Sequence, residues 1–233
     1  DIGYMQIESG SKYTIGIGSW KNNKAAALLK KIASKNANAA KQIVGDKVYK
    51  KLTTSKTCNE SDYTSAQVLS IKKLLSTEES RQIQLDYLVS DVKSAIQSAS
   101  KLYSDPKVVA FAAVIAYDDD VKYLPKKSKD IGISEFYKAF KSTSAYKKNN
   151  SRYDSVFDQL KDMEIASVDT SKVDTNSIAQ NIGIKTSNTT KGSKGSSGSS
   201  SSYSSEGSSS SVESEHSGNW ISDLQDAISN MGN

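Results

Sequence analysis

The chemistry that this sequence suggests centres on one carboxylate near its start, Glu8, in the segment MQIESGSKYTIGIGSW (residues 5–20). Glu8 is the only acid of that segment, and Met5, Ile7 and Ile15 lie close to it along the chain. Apolar neighbours of this kind would raise the pKa of a glutamic acid towards the working pH. A protonated glutamic acid can donate its proton to the oxygen of a glycosidic bond while positive charge builds on the sugar ring. The segment therefore indicates a general acid for the cleavage of a glycan.

Residues that follow Glu8 offer further groups that such a site needs. Thr14 carries a hydroxyl that can hold a water molecule or a second intermediate, and Tyr13 and Trp20 carry rings on which a sugar can stack. Glycine lets the backbone approach a ligand closely, and it occurs at positions 10, 16 and 18. We expect Thr14 to act with Glu8 in catalysis, and Tyr13 and Trp20 to bind the substrate.

The local structure around Glu8 is expected to be a helix that ends at this residue and a small β element that faces it. A turn at Gly10–Ser11 would lead into a short β segment over residues 13–18. The alternative is that Glu8 is a solvated helix residue without a catalytic role and that TIGIG is an ordinary strand.

A second group of candidate residues lies on a predicted helix in the middle of the chain. Gln84 and Asp91 are seven residues apart, which places them on one face of that helix, beside its apolar stripe. We expect Gln84 to contact the substrate. Asp91 would either line the cleft as a second catalytic group or support the cleft through a buried hydrogen bond.

A third candidate is the run YDDD, residues 117–120, at the end of another predicted helix. Acids at a helix C-terminus oppose the helix dipole, which costs about 0.3 kcal/mol or more for each. The run would supply a second carboxylate facing Glu8, bind a cation, or pair with the lysines at positions 122, 126 and 127. We expect Tyr117 and Asp118 to contact the substrate.

Other kinds of catalytic site are excluded by composition. The chain has one cysteine, Cys58, and one histidine, His216, which lies far away in a serine-rich stretch. A single cysteine cannot form an intrachain disulfide, and this pair supports neither a catalytic thiol, a histidine-based triad nor a Cys/His zinc site. We expect Cys58 to be structural or simply exposed, and we expect no metal and no cofactor.

The chain is basic. Lysine and arginine outnumber aspartate and glutamate by 31 to 26, and the sequence pI is about 9.0. A basic surface suits nucleic acid, an acidic membrane or a bacterial wall rich in teichoic acid and muramic carboxylates, although it also serves solubility alone. The lysines are dispersed rather than set in a stripe with aromatic residues, which argues against a nucleic-acid binder. No apolar run approaches the ~20 residues that a membrane-spanning helix needs.

Composition divides the chain into four segments. Residues 1–166 have the composition of a globular domain, and residues 167–185 are a polar extension expected to run along its surface. Residues 186–218 are a serine/glycine-rich linker, which cannot bury enough apolar surface to fold. Residues 219–233 form an amphipathic helix that either docks on another surface or begins a following domain. Because no signal peptide or initiator methionine precedes Asp1, we expect the chain to be a piece of a longer protein.

Helical periodicity dominates the globular segment. The segment from Val108 to Ala116, which follows the start signal Asp105–Pro106, is apolar on every side and is expected to be the central helix. The predicted class is mainly α with one small β element. Apolar residues recur at helical spacing over residues 25–32, 37–44, 65–75, 78–103, 134–142 and 150–163.

Two stretches near the start resemble enzymes that degrade bacterial walls. YTIGIG, residues 13–18, resembles the active-site hairpin of the T-even phage lysozymes, in which a glutamate precedes the hairpin and a threonine lies in it. The aspartate that those enzymes place between the two is absent here. IGIGSWKNNKAAALLKKI, residues 15–32, more closely resembles the glycosidase domains of some lysins from phages of Gram-positive bacteria, in which a glycine-rich hairpin runs into an aromatic residue and then a helix.

Later parts of the chain also resemble the lysin glycosidases, over residues 1–165 in all. That family tends to have a glutamine and an Asp-Val pair, which match Gln84 and Asp91–Val92, and an Asp-Pro that opens an apolar helix, which matches Asp105–Pro106. The aspartate that the family usually has near the end of that helix is replaced here, with Val114 at the corresponding position.

The resemblance implies a lysozyme-like helical domain that cleaves the β-1,4 glycan backbone of peptidoglycan with Glu8 as general acid. Its partners would be glycan strands, without nucleic acid or membrane insertion, and a second wall-active domain would follow the linker. It would act outside the cell, at the wall or on a virion tail. Since no second acid is evident, an inverting or substrate-assisted route is favoured over a carboxylate nucleophile. The alternative is a non-catalytic wall-binding or structural phage-tail module of the same fold.

Overall fold

The computed structural model of the chain describes residues 5–8, 12–59, 62–176 and 178. Within these residues, a two-stranded antiparallel hairpin precedes nine α-helices. The strands are β1 (Met5–Glu8) and β2 (Lys12–Ile15). The helices are α1 (Asn22–Lys35), α2 (Ala37–Val44), α3 (Asp46–Thr54), α4 (Ser65–Leu75), α5 (Glu78–Leu102), α6 (Pro106–Asp118), α7 (Ile133–Phe140), α8 (Ser144–Lys148) and α9 (Asn150–Asp162).

The predicted class, mainly α with a small β element, is confirmed. Helices α2 and α4 begin and end at the predicted residues, and α1, α5, α6, α7 and α9 lie where helical periodicity predicts them. Helices α3 and α8 are not predicted from the sequence. Their apolar patterns are weak, since α3 buries only Val48 and Leu52 and α8 buries only Ala145.

Side-chain caps fix where the central helices begin. The Thr64 hydroxyl accepts a hydrogen bond from the backbone of Gln67, and the Gln67 side chain accepts one from the backbone of Thr64, which forms a capping box at the start of α4. The Thr77 hydroxyl caps α5 by accepting from the backbone N–H of Ser80, and Asp105 caps α6 by accepting from the backbone N–H groups of the second and third helical residues. These helices therefore start where the sequence places their caps.

Helix α6 is the centre of the core, as its unbroken apolar sequence predicts. All of its residues from Val108 to Ile115 are buried. Helix α5 packs along it, and α7 and α9 also contact it. The Phe111 ring lies among those of Phe136, Phe140 and Tyr153, at centroid distances of 5.7, 5.8 and 6.4 Å. A group attached to the C-terminal end of α6 is thus attached to the most buried element of the described fold.

Glu8 lies in a strand, which corrects the prediction that it ends a helix. Strand β1 pairs with β2 so that Glu8 is opposite Lys12 and Gln6 is opposite Thr14. The sequence MQIE alternates apolar and polar residues with the period of a strand. A helix of four residues would lose backbone entropy and gain almost no internal hydrogen bonds. Pairing with β2 instead gives the backbone N–H and C=O groups of these residues direct partners.

The chain beyond α9 returns to the helical core. Val173 and Ile178 are 1 % and 7 % exposed, and the hydroxyl of Thr175 lies 3.3 Å from the carboxylate of Asp86 on α5. The described residues of this segment therefore pack against the helical core, and the predicted segment boundaries at 167 and 185 stay a prediction. The predicted linker, residues 186–218, and the predicted amphipathic helix, residues 219–233, lie outside the described residues.

Cys58 lies in the core, at 1 % exposure. Burial, together with the nearby charge of Asp62, raises the pKa of its thiol to about 11. A thiol that is buried and protonated is a poor nucleophile, in agreement with the expectation of a structural role. Among the described helices, none has the length and apolar character of a membrane span.

Candidate functional site

A tight turn over residues 16–19 leads from β2 towards α1 and forms the centre of the candidate site. Two backbone hydrogen bonds of 3.0 Å between Ile15 and Trp20 close it. Gly16 has φ +68°, and a Cβ there would lie 2.5 Å from the Gln84 side-chain oxygen and 2.9 Å from the Trp20 ring. Glycine is therefore needed for both conformation and space. The close approach predicted for Gly16 and Gly18 is made to the protein's own side chains, and Gly10 lies outside the described residues.

Gln84 ties the turn to the helices. It is fully buried, its Oε1 accepts from the backbone N–H of Ile17 at 3.2 Å, and its Nε2 donates to the carbonyl of Leu75 at 2.9 Å. The amide thus joins the turn to the end of α4. This corrects the prediction that Gln84 binds substrate, because a fully buried amide with both ends engaged by the backbone cannot reach a ligand.

Trp20 is held by Asp91. Its indole Nε1 donates to Asp91 Oδ2 at 3.0 Å, and Lys24 Nζ lies 3.1 Å from the same oxygen. Trp20 is 3 % exposed, and its ring meets that of Tyr87 edge to face at 5.4 Å. The predicted stacking of a sugar on Trp20 is therefore corrected, since its ring is covered. Asp91 is hydrogen-bonded, which fits the support role, although its side chain is 18 % exposed rather than buried; its catalytic role stays a prediction.

Tyr117 fixes the other side of the turn. Its hydroxyl donates to the carbonyl of Gly18 at 3.0 Å, which joins the turn to the last residues of α6. Burial raises the pKa of Tyr117 well above its usual value, and the charges of Asp91 and Asp118 raise it further. The hydroxyl therefore stays protonated and serves as a hydrogen-bond donor. The residue as a whole is partly buried, and its contact with substrate stays a prediction.

The acid run after Tyr117 pairs mainly with α9. Arg152 donates two hydrogen bonds to Asp118, at 2.8 and 2.9 Å, and the hydroxyl of Tyr153 donates to Asp119. Asp120 lies 3.8 Å from Lys122, one of the three lysines predicted as partners. Burial raises the pKa of Asp118 to about 6, although Arg152 opposes this. The Asp118 carboxylate is thus committed to a helix contact, which leaves its predicted role in substrate binding unsupported.

Thr14 and Glu8 are the remaining predicted catalytic residues. Thr14 is 4 % exposed, so its hydroxyl lies inside the fold rather than on an open surface. In the strand register, Glu8 and Thr14 occupy positions that belong to one face of the hairpin, whereas Ile15 belongs to the other. The side chains of Glu8 and Tyr13 lie outside the described part of the structure.

Three residues of this region were missed by sequence reasoning. Tyr87 lies between Gln84 and Asp91 on the same face of α5, so helical spacing was a usable signal for it. Arg152 is one of only two arginines in the chain, and arginine favours two-pronged contacts with a carboxylate. Lys24 gave no signal, because nothing distinguishes it in sequence from the other lysines of α1.

The arrangement gives a rigid support for the hairpin rather than a set of free reactive groups. Gln84, Asp91 and Tyr117, from two core helices, each make a hydrogen bond to the segment 17–20. In the described ranges, no three His, Cys, Asp or Glu side chains are grouped to hold a metal ion. Comparison with known protein families, with curated proteins and with solved structures finds no match to this chain.

Replacing Gly18 by alanine tests the packing of the turn. A Cβ at Gly18 would lie 2.6 Å from the Trp20 ring and 2.6 Å from the Tyr117 hydroxyl. We expect Gly18→Ala to lower the free energy of unfolding by about 2 kcal/mol through overpacking, and Tm by roughly 4–8 °C. Gly132→Ala is the matched control, because a Cβ there meets nothing within 4 Å. It should change stability by less than about 0.5 kcal/mol in thermal unfolding. Equal losses in both variants would contradict the packing described here.

Proposed function

We propose that this chain is a muramidase-like peptidoglycan hydrolase that cleaves β-1,4 bonds of the wall glycan, with Glu8 as general acid. The observation that carries the proposal is the attachment of the turn after β2 to α5 and α6 through Gln84, Asp91 and Tyr117. The strand that runs into this turn is the one that pairs with the Glu8 strand.

Attachment of this kind suits a catalytic acid. A general acid works only when it is held within hydrogen-bonding reach of the leaving oxygen, and a rigid scaffold supplies that precision. In the strand register, the position of Glu8 shares a face with that of Thr14, which is 4 % exposed, and stands opposite that of Lys12. The resemblance of the hairpin to lysozyme-like domains points to the same fold and chemistry.

The reaction is proposed to proceed without a carboxylate nucleophile. Asp91 is engaged by Trp20 and Lys24, and Asp118 is engaged by Arg152. A carboxylate already held by cations and N–H donors is a weaker nucleophile than a free one. An inverting or substrate-assisted route with a positioned water fits these contacts better than a covalent intermediate.

The setting of the reaction belongs to the proposal as well. The enzyme would act outside the cell, at the wall or on a virion tail, on glycan strands and without a cofactor. A second wall-active domain beyond the linker would then be brought to the same polymer by the first.

Product analysis tests this function directly. The full chain is incubated with purified sacculi, and the released fragments are identified by mass. Muramic reducing ends would support the muramidase, whereas glucosamine reducing ends would support hydrolysis at the other bond. Anhydro ends would show that the bond is cleaved by transglycosylation instead of hydrolysis. Sacculi that bind the chain but release no new ends would contradict the proposed enzyme.

That last outcome would favour a second candidate, a non-catalytic wall-binding or phage-tail module. Trp20 and Gln84, both predicted substrate contacts, are buried and serve the scaffold. A domain that kept this scaffold after losing turnover would look the same at these two positions.

A further inference from the structure

The basic charge of the chain is concentrated in three adjacent helices, which we call the basic lobe: α1, α2 and α3, residues 22–54. These helices contain eight lysines and one acid, Asp46. In contrast, residues 62–176 contain 17 basic and 17 acidic residues. Each of the three helices packs against the other two, so their charges lie in one part of the molecule. The lysines that look dispersed in the sequence are therefore gathered by the fold.

Most of these lysines have no ion-pair partner in the part of the chain that the structure describes. Lys24, Lys41 and Lys51 pair with carboxylates at 3.1, 3.5 and 3.9 Å. The other five are exposed and have no ion pair among the described residues: Lys30, Lys31, Lys35, Lys47 and Lys50. Mutual repulsion among these five exposed cations destabilises the fold of the unbound domain. Binding of a polyanion would relieve that repulsion.

The basic lobe is continuous with the candidate site. Lys24, Lys31 and Lys35 lie on one side of α1, within about 40° of one another around the helix axis, and span roughly 17 Å along it. Lys24 contacts Asp91 at the turn, and Lys31 lies over the ring of Tyr87 with its Nζ 5.9 Å from the ring centre. A polymer that follows this stripe would therefore end beside the turn that holds the hairpin.

We propose that the basic lobe binds a phosphodiester-linked polymer of the bacterial wall, of the poly(glycerol phosphate) type. The choice of a wall polymer rests on the proposed function, whereas the binding of a flexible polyanion does not. Lysine is a compact point charge that suits a repeating phosphate. The lobe contains no arginine, the residue that most often reads bases, since both arginines of the chain lie elsewhere. These features favour a phosphate polymer without bases over nucleic acid.

Aromatic residues support the same choice. Proteins that bind single-stranded nucleic acid combine positive charge with open rings on which bases stack. Tyr49 is the only aromatic residue in helices α1–α3; it is partly buried, and Lys41 Nζ lies 5.2 Å from the centre of its ring. The basic lobe thus offers charge without an open stacking platform.

Binding to soluble poly(glycerol phosphate) tests the proposal with the full chain, across a range of salt concentrations. The test variant replaces Lys30, Lys31, Lys35, Lys47 and Lys50 by glutamine. The control variant replaces five exposed lysines elsewhere that also have no ion pair among the described residues: Lys101, Lys126, Lys127, Lys147 and Lys148. Both variants lose the same charge, so any difference reports position.

We expect the test variant to bind at least about tenfold more weakly than the unmodified chain, and the control less than about twofold. The slope of log K against log salt should fall by up to roughly 0.7 for each lysine that contacts phosphate. Equal losses in the two variants would contradict a specific surface. Tighter binding to single-stranded DNA or to anionic lipid vesicles than to poly(glycerol phosphate), with the same dependence on the five lysines, would overturn the choice of polymer.

Sedimentation with whole walls separates this inference from the proposed enzyme. A Glu8→Gln chain is mixed with walls that carry the phosphate polymer and with walls from which it has been removed. Binding that falls on removal of the polymer supports the basic lobe, even if no glycan is ever cleaved. Binding that is unchanged on stripped walls contradicts it, even if glycan cleavage is observed with the unmodified chain.

Discussion

Exchange of Glu8 for glutamine should reduce the release of reducing ends from sacculi by about 10²–10⁴-fold, the contribution of a general acid. Glutamine is nearly the same size as glutamic acid but has no proton to give to the leaving oxygen. Glu8 is the last residue of β1, and its backbone pairing with Lys12 does not depend on the side chain. The variant should therefore fold normally, with unchanged circular dichroism and Tm.

A matched control separates this effect from a general change of charge. Glu135, in the first turn of α7, is exposed and lies far along the chain from the hairpin. Glu135→Gln should leave the rate within about twofold of the unmodified chain. If Glu8→Gln retains the full rate on sacculi from which wild-type protein releases reducing ends, another residue is the acid and the proposal fails at its central point.

The second large effect concerns stability, at the contact between α6 and α9. Arg152→Met should lower the free energy of unfolding by about 3 kcal/mol at pH 8. Asp118 is only 14 % exposed, and loss of Arg152 would leave its charge in a poorly solvated position without its bidentate partner. Denaturant unfolding of the full chain measures the change.

The loss should be smaller at low pH. The pKa of Asp118 is raised to about 6 in the folded chain, above the value near 4 of an unfolded aspartate. The folded chain thus holds this proton more tightly, and the contribution of Asp118 to stability falls as the pH rises from about 4 to about 6. Removing Arg152 raises the folded pKa further. The destabilisation of Arg152→Met should therefore be greater at pH 8 than at pH 5.

Two further variants make the ion-pair explanation testable. Adding Asp118→Asn to Arg152→Met removes the stranded charge and should restore part of the lost stability at pH 8. Asp158→Asn breaks an exposed pair with Lys161 and should cost less than about 0.5 kcal/mol. A loss from Arg152→Met that is independent of pH would assign the effect to packing of the arginine side chain instead.

The helices were predictable because their signals are local. Thr64, Thr77 and Asp105 are caps that lie next to the apolar pattern they start, and Gly45, with φ +79°, ends α2 at the predicted residue. Helix α3 was missed because two buried residues four apart do not define a stripe. β1 was mistaken for a helix end because four residues carry too little periodicity to distinguish the two structures.

Several residues around the turn could be picked out from the sequence, but the contacts that they make could not. Gln84, Asp91 and Tyr117 were selected from sequence, and all three contact the segment 17–20. Their partners are 67, 71 and 99 residues away along the chain, and no local pattern encodes such contacts. Trp20 illustrates the limit: an indole next to a glycine-rich turn looks the same in sequence whether it faces a sugar or the core.

The return of the chain over α5 decides how a pulling force would act on this domain. Thr175 is in reach of Asp86, and Val173 and Ile178 are buried. Tension applied through the chain beyond Ile178 would first meet this packed segment, and it would reach α9 only after the segment had peeled away. We therefore expect the return segment to detach and lengthen under load before the helices that carry the candidate site bear the force.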